Sequence, residues 1–170
     1  MSGFAAHNNL KNHLSELTLD KEIGMPEFDF IAKNNAERQN LFAFARGLSA
    51  EDLRHPMEAG WTVSAVLAHV AFWDLRALTL IQKWQNEAMA PSPVDTDVVN
   101  EATRRLCLAI EGRAAVEMAC SAAESVDQAI AQLSPEMVKS IQTIATNVRL
   151  ERAAHRRQHI AEIQHALAKN

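Results

Sequence analysis

Two histidines near the C-terminus, His155 and His159, have a spacing that suits metal binding. No glycine or proline occurs from Glu136 to the end of the chain, so this segment is predicted to be helical. Residues four apart on a helix lie one above the other on one face, so the two imidazoles can bind one metal ion. Two ligands do not make a stable closed site, and a third is therefore required. The alternative is a chance spacing in a chain with seven histidines.

The candidate third ligand is His69, which lies in a strongly apolar segment that begins at Trp61. Thr62 is a suitable helix N-cap, and the predicted helix runs to about Glu87. Its apolar face contains Val63, Val66, Leu67, Val70, Trp73, Ala77, Leu78, Ile81 and Trp84. His69 lies on or beside this face, so it is either a metal ligand or a hydrogen-bonded core residue.

Three convergent imidazoles would suit Zn or a neighbouring divalent metal such as Ni. The fourth coordination position would then be open to water, as in catalytic rather than structural sites. The pKa of such a water would be lowered toward neutrality, and the water could act as a nucleophile or be displaced by a thiolate.

Two carboxylates are candidate partners for the ligand imidazoles, which usually donate their free N–H to an acceptor. Glu162 follows His159 by three residues and so lies on the same helix face. It is predicted to orient a ligand or to serve as a general base, and the alternative is a surface ion pair with Arg157. Asp74 follows His69 by five residues, which points it away and makes it the weaker candidate.

Other catalytic patterns are missing from the sequence. There is no His-Glu-x-x-His motif, no phosphate-binding glycine loop and no serine nucleophile elbow. Glu162 and His165 form one Glu-x-x-His pair, but a di-iron bundle needs two such pairs and two further carboxylates.

The composition favours one helical domain. The 170 residues are 48% hydrophobic and include no tyrosine, five glycines and five prolines. The net charge of −4 gives no electrostatic reason to expect a nucleic-acid partner. The locally basic segment from Arg149 to Arg157 is interrupted by Glu151 and is interpreted as a solvated helix face.

Compartment and membrane association are predicted from what the sequence lacks. Cys107 and Cys120 match no metal or redox spacing and are interpreted as reduced, helix-borne thiols, with a disulfide as the alternative. The N-terminus has no secretion signal, so a cytoplasmic location is expected. No apolar run approaches the roughly 20 residues of a membrane span, so no membrane association is expected.

Four long helices, each of about 20 residues or more, are predicted to pack as a bundle. Residues 1–25 are an N-terminal arm or short helix with His7 and His13 on its surface, and residues 26–170 form the bundle domain. Gly112 marks a kink or a joint within the third helical region, and the last helix has an optional short first segment ending at Ile141 or Gln142. The predicted ranges are 27–47, 62–87, 95–133 and 136–168, with Ser49 and Asp52 capping one short extra turn.

Two motifs give the chain a family resemblance. The segment from Trp61 to Trp73 resembles the Trp-Ser/Thr-x-x-x-x-Leu-x-His-x-x-x-Trp signature of the DinB/YfiT-like superfamily of metalloenzymes. The segment from His155 to Ile163 resembles that family's C-terminal His-x-x-x-His-hydrophobic-x-x-Ile pattern. Asn100 and the Leu133–Glu136 joint also lie where the family has an Asn and a Leu-Ser-x-Glu motif. The resemblance covers about residues 27–167.

The resemblance implies a four-helix bundle of up-down-down-up topology in which His69, His155 and His159 bind one divalent metal ion. It also implies a homodimer, and a small-molecule reaction that uses a low-molecular-weight thiol, either S-transfer or isomerisation, or a hydrolysis. No further substrate-binding residue carries over, and Trp61, Trp73 and Trp84 are interpreted as core or pocket wall.

Two functions follow as hypotheses. The first is a metal-dependent S-transferase or hydrolase. The second is a non-catalytic dimeric bundle of stress-response type that binds a small ligand or binds a metal ion weakly. In this second case no pocket would reach the three imidazoles. A stress-linked role on DNA is disfavoured by the acidic charge.

Overall fold

The computed structural model describes residues 29–169, and this part of the chain is all-helical, as predicted. The predicted arm of residues 1–25, with His7 and His13, and the predicted helix start at Pro26 lie outside the described residues. The helices are α1 (Asp29–Gly47), α2 (Ala50–Arg54), α3 (Val63–Trp84), α4 (Thr96–Leu108), α5 (Gly112–Ala131), α6 (Pro135–Ile144) and α7 (Ala153–Leu167), with a 3-10 turn at Glu58–Gly60.

Polar side chains cap the starts of four helices, including the predicted caps Thr62 and Ser49. The side chains of Thr62, Asp95 and Ser134 each accept a hydrogen bond from a backbone amide three residues later. Ser49 and Asp52 form the reciprocal capping box at the start of α2. These caps satisfy amides that a helix leaves without partners at its first turn.

Gly112 marks a joint between two helices rather than a kink within one. α4 ends at Leu108 and α5 begins at Gly112, where a Cβ atom would lie 3.1 Å from Cβ of Leu53. Glycine therefore allows the start of α5 to approach α2 closely.

The prediction of a long final helix is wrong, and the short first segment considered as an option is the arrangement observed. α6 ends at Ile144, residues 145–152 form no helix, and α7 has only 15 residues. Residues 143–148 include Thr143, Thr146 and Asn147, which are weak helix formers. Val148 and Leu150 are buried in the core, so packing of this connection outweighs the continuation of the helix.

Four helices surround the core: α3 contacts α5 and α7, and α1 contacts the same two helices. α4 lies against α3, and α2 packs on α3 and α5. One part of the core centres on Leu41, Val63, Leu67, Ala119 and Ile160, and the other on Phe30, Ile81, Val126, Ile130 and Ile141.

α3 corrects the expectation that no segment approaches a membrane span. By length and composition alone it could cross a membrane, but 56% of its most apolar window is buried inside the protein. α3 is therefore placed as the core helix of a water-soluble protein would be. His69 lies on this largely buried helix.

Candidate metal centre

Three imidazoles meet between α3 and α7. His69 of α3 lies opposite His155 and His159 of α7, and one nitrogen from each ring lies within 4.8 Å of the other two. Nε2 of His155 and Nε2 of His159 are 3.2 Å apart. A tetrahedral Zn site with bonds near 2.1 Å places its ligand nitrogens about 3.4 Å apart, so small side-chain adjustments reach that geometry. The structure thus brings together the three histidines that the sequence singled out.

His159 is oriented by a carboxylate. Its Nδ1 lies 2.7 Å from Oε2 of Glu162, and since a carboxylate accepts, Nδ1–H is the donor and Nε2 keeps its lone pair. The other oxygen of Glu162 accepts a hydrogen bond from Gln158. Arg157, the alternative partner expected for Glu162, binds Glu37 instead at 3.1 Å. Glu162 therefore makes the contact that usually fixes a metal-binding imidazole.

Burial and neighbouring charges keep two of the imidazoles neutral. Burial lowers the pKa of His69 to about 4, with a further contribution from His159 that Glu162 partly opposes. Burial also lowers the pKa of His155 to about 2, and the charges of His159, Arg152, His69 and Arg156 act in the same direction. Neutral imidazole is the form that binds metals.

The imidazole nitrogens of the cluster are available to bind a metal ion. Nδ1 of His69 is buried and, within residues 29–169, has no hydrogen-bond partner. Nη2 of Arg152 lies 3.5 Å from Nδ1 of His155, which places a donor at that nitrogen. The donor set of three imidazoles with one orienting carboxylate fits Zn, Ni or another borderline divalent ion.

Within residues 29–169, Asp74 is hydrogen-bonded to two arginines rather than to a histidine. It is fully buried, and its two oxygens bind Nε of Arg152 at 2.7 Å and Nε of Arg156 at 2.9 Å. Arg156 also donates two hydrogen bonds of 2.9 Å to Asp127 on α5. Burial alone would lower the pKa of Arg156, but these two carboxylates outweigh it and raise the pKa.

The interpretation of Arg149–Arg157 as a solvated face is therefore wrong for two of its arginines. Arg156 is 0% exposed and Arg152 is buried, because both neutralise buried carboxylates. A signal for this was present in the sequence. Asp74 and Asp127 each interrupt an apolar helix stripe, and a carboxylate in such a position requires a cation.

Asn34 of α1 is a second residue that the sequence analysis missed. Its Oδ1 accepts hydrogen bonds from the amides of Arg152 at 2.8 Å and Ala153 at 3.0 Å, and its Nδ2 donates to the carbonyl of Leu150. The N-cap residue of α7 provides no side-chain cap of its own. Asn34 therefore caps, from another helix, the helix that carries His155 and His159.

A cavity of about 520 Å³ opens onto the cluster. His69 and His159 line it, whereas His155 is not among its lining residues. Trp61 is part of the wall and meets the His69 ring edge-on at 5.5 Å, while Trp84 lies in the core. The remaining wall consists of His55, Pro56, Met57, Glu58, Val66, Asn100, Glu162, His165, Ala166 and Lys169.

A tight loop at residues 57–61 holds one side of the cavity. Ala59 and Gly60 have φ angles of 54° and 75°, a region that favours glycine, and the amide of Met57 donates to the carbonyl of Trp61 at 2.8 Å. This hydrogen bond closes the loop and fixes Met57 and Trp61 on the cavity wall.

Comparison with known proteins gives a family and no individual relative. No curated protein and no solved structure matches the chain significantly. A sequence model of the DinB superfamily matches residues 34–168, a range that includes Asn34 and all three histidines. The chain therefore belongs to the DinB superfamily.

Proposed function

We propose that this protein is a divalent-metal-dependent enzyme whose metal ion is bound by His69, His155 and His159. The observation that carries the proposal is the convergence of one nitrogen from each imidazole within 4.8 Å, beside an open cavity. Zn or Ni fits these ligands, and such an ion acts as a Lewis acid that lowers the pKa of a bound water or thiol. His69 and His159 face the cavity, so a small molecule reaches the ligands from that side.

The reaction we propose is a thiol-dependent S-transfer or a hydrolysis of a small molecule. The protein's own thiols, Cys107 and Cys120, are buried, and burial raises the pKa of each. Neither lines the cavity. A thiol reactant is therefore a separate low-molecular-weight molecule. Glu162 orients His159 and is the candidate general base, because it also lines the cavity.

Metal analysis of protein purified without a His tag tests the site. We expect near-stoichiometric divalent metal, or its uptake on titration, in the wild type, and a loss of binding of at least a hundredfold in His159→Ala. His165→Ala is the matched control, since His165 lies on the same helix and lines the same cavity outside the cluster. No metal uptake by the wild type, or equal losses in both variants, would contradict the proposal.

The second candidate function is a non-catalytic dimeric bundle that binds a small ligand. It is favoured by the hydrogen-bond distances that link Arg152 to His155, His155 to His159 and His159 to Glu162. The cavity that reaches His69 and His159 is not expected for this alternative. Absence of metal uptake together with retained folding would favour it.

We further propose that the four long helices run up-down-down-up and that the protein is cytoplasmic. The topology is supported by contacts between the starts of α1 and α7, through Asn34 and Arg152, and by the pairing of Asp74 on α3 with Arg156 on α7. The net charge of −4 supports a small-molecule rather than a nucleic-acid partner.

A further inference from the structure

Asn100 on α4 is held in one orientation by Trp73 on α3. The indole Nε1–H of Trp73 lies 3.1 Å from Oδ1 of Asn100. An indole nitrogen only donates, so it is the carbonyl oxygen of the Asn100 side chain that faces Trp73. The NH₂ group of Asn100 is consequently directed away from the indole.

Trp73 is itself restrained on several sides. Its ring meets His69 at 6.3 Å and Phe72 at 5.3 Å, both edge-on. The guanidinium of Arg76 lies 5.6 Å from the ring centroid and is tied to Ser92 by two hydrogen bonds. The orientation of Asn100 is therefore fixed by a side chain that also packs on a metal-ligand candidate.

The NH₂ group of Asn100 is a donor without a protein acceptor among residues 29–169. Asn100 lines the same cavity as His69 and His159. A polar group fixed on a largely apolar cavity wall is the arrangement that orients a small ligand and gives specificity. The apolar part of this wall includes Met57, Trp61, Val66 and Ala166.

We propose that Asn100 is a specificity-determining residue, whose NH₂ group donates a hydrogen bond to a carboxylate or amide oxygen of the molecule bound at the three-histidine site. The ligand class is a compact molecule with an apolar body, one metal-binding atom and one oxygen acceptor a few bonds away. This inference rests on the proposed metal site.

The test uses Co²⁺-loaded protein and ω-mercapto acids with one to four methylene groups. Each acid is compared with its amide and with the alkanethiol of equal length, and binding is followed by thiolate-to-cobalt absorption. We expect the wild type to bind one acid or amide length at least about tenfold more tightly than the alkanethiol, as one hydrogen bond to a charged or polar oxygen provides.

Asn100→Asp is the decisive variant, because it keeps an oxygen for the Trp73 indole and replaces the NH₂ donor by an acceptor. We expect it to lose the preference for the acid, to retain alkanethiol binding and to bind Co²⁺ as the wild type does. Asn86→Asp, which adds the same charge at an exposed position at the end of α3, should retain the preference.

The outcomes separate the two proposals. Equal preferences in Asn100→Asp and the wild type, or no preference in the wild type, overturn the role of Asn100 and leave the metal site standing. If a preference for the shortest acids persists in Asn100→Asp, the thiolate and carboxylate of the acid chelate the metal together. This result also overturns the role of Asn100. Failure of the wild type to bind Co²⁺ overturns the proposed function and this inference together. Thermal unfolding of each variant shows whether a loss reflects misfolding.

Discussion

At the scale of single residues, the candidate metal centre consists of three imidazoles, supported by Glu162 beside His159 and by Asn34 at the start of α7. His155 and His159 follow from helical spacing, and Glu162 was placed beside His159 by the same periodicity. His69 could be assigned only through a motif, because a histidine on an apolar face is equally compatible with a core role. Asn34 acts across 118 residues of sequence, and no local pattern reports such a contact.

The lowered pKa values of His69 and His155 make the stability of the metal-free protein depend on pH. The unfolded chain takes up protons as the pH falls through 6.5, whereas folded His69 remains neutral until about pH 4 and His155 to lower pH. The unfolded state therefore binds more protons in this window, and the free energy of unfolding decreases as the pH falls from about 6.5 to 4. Urea unfolding at pH 7.5, 6.0 and 5.0 measures this decrease in the free energy of unfolding.

His155→Gln should weaken this pH dependence, because the variant lacks one of the two groups. His165→Gln is the control, since that side chain is exposed. An equal pH dependence in His155→Gln and the wild type would show that other groups produce it.

Glu162→Gln should lower metal affinity about tenfold, because an orienting carboxylate raises the basicity of the imidazole it binds. Competition with a chromophoric chelator measures the affinity. Gln158→Ala removes only the contact to the other oxygen of Glu162 and should have a smaller effect. If the metal affinity is unchanged in Glu162→Gln, the carboxylate of Glu162 is only a surface contact of His159 and does not support metal binding.

At the scale of elements, the position of α7 depends on buried charges more than on its own helix propensity. Its first turn is capped by α1, and Arg152 and Arg156 bind carboxylates on α3 and α5. The presence of the helices and most of their first residues could be predicted, because capping residues and hydrophobic periodicity are local features of the sequence. The break in the last helical region was predicted only as an option, and its position at residues 145–152 could not be predicted, because it depends on where Val148 and Leu150 are buried.

Arg156→Met should destabilise the protein by about 3–5 kcal/mol, because Asp74 and Asp127 would lose their shared cation in the core. Lys83→Met is the control at the surface. Its side chain and that of its ion-pair partner Glu87 are 55% and 61% exposed, so we expect at most about 1 kcal/mol. Urea unfolding of both variants in parallel gives the comparison, and similar losses would contradict a special role for the buried network.

At the scale of the whole molecule, we expect a homodimer. Among the described residues, Val98 and Leu106 on α4 are 62% and 68% exposed, two turns apart on one helix face. They provide apolar surface that a second copy could cover.

Sedimentation velocity at several concentrations tests the dimer, and Leu106→Glu should shift the protein toward monomer without loss of helicity. Glu101→Lys on the same helix, where the side chain is exposed, is the control for a changed surface charge. A wild type that sediments as a monomer at all concentrations would contradict the dimer.

The capping of α7 by Asn34 also bears on how the protein folds. The three hydrogen bonds join residues separated by 116 to 119 positions, so they form only after the chain between them has been brought together. His155 and His159 reach their places opposite His69 by the same docking step. A metal ion bound by all three histidines would therefore stabilise the docked position of α7 relative to the unfolded chain.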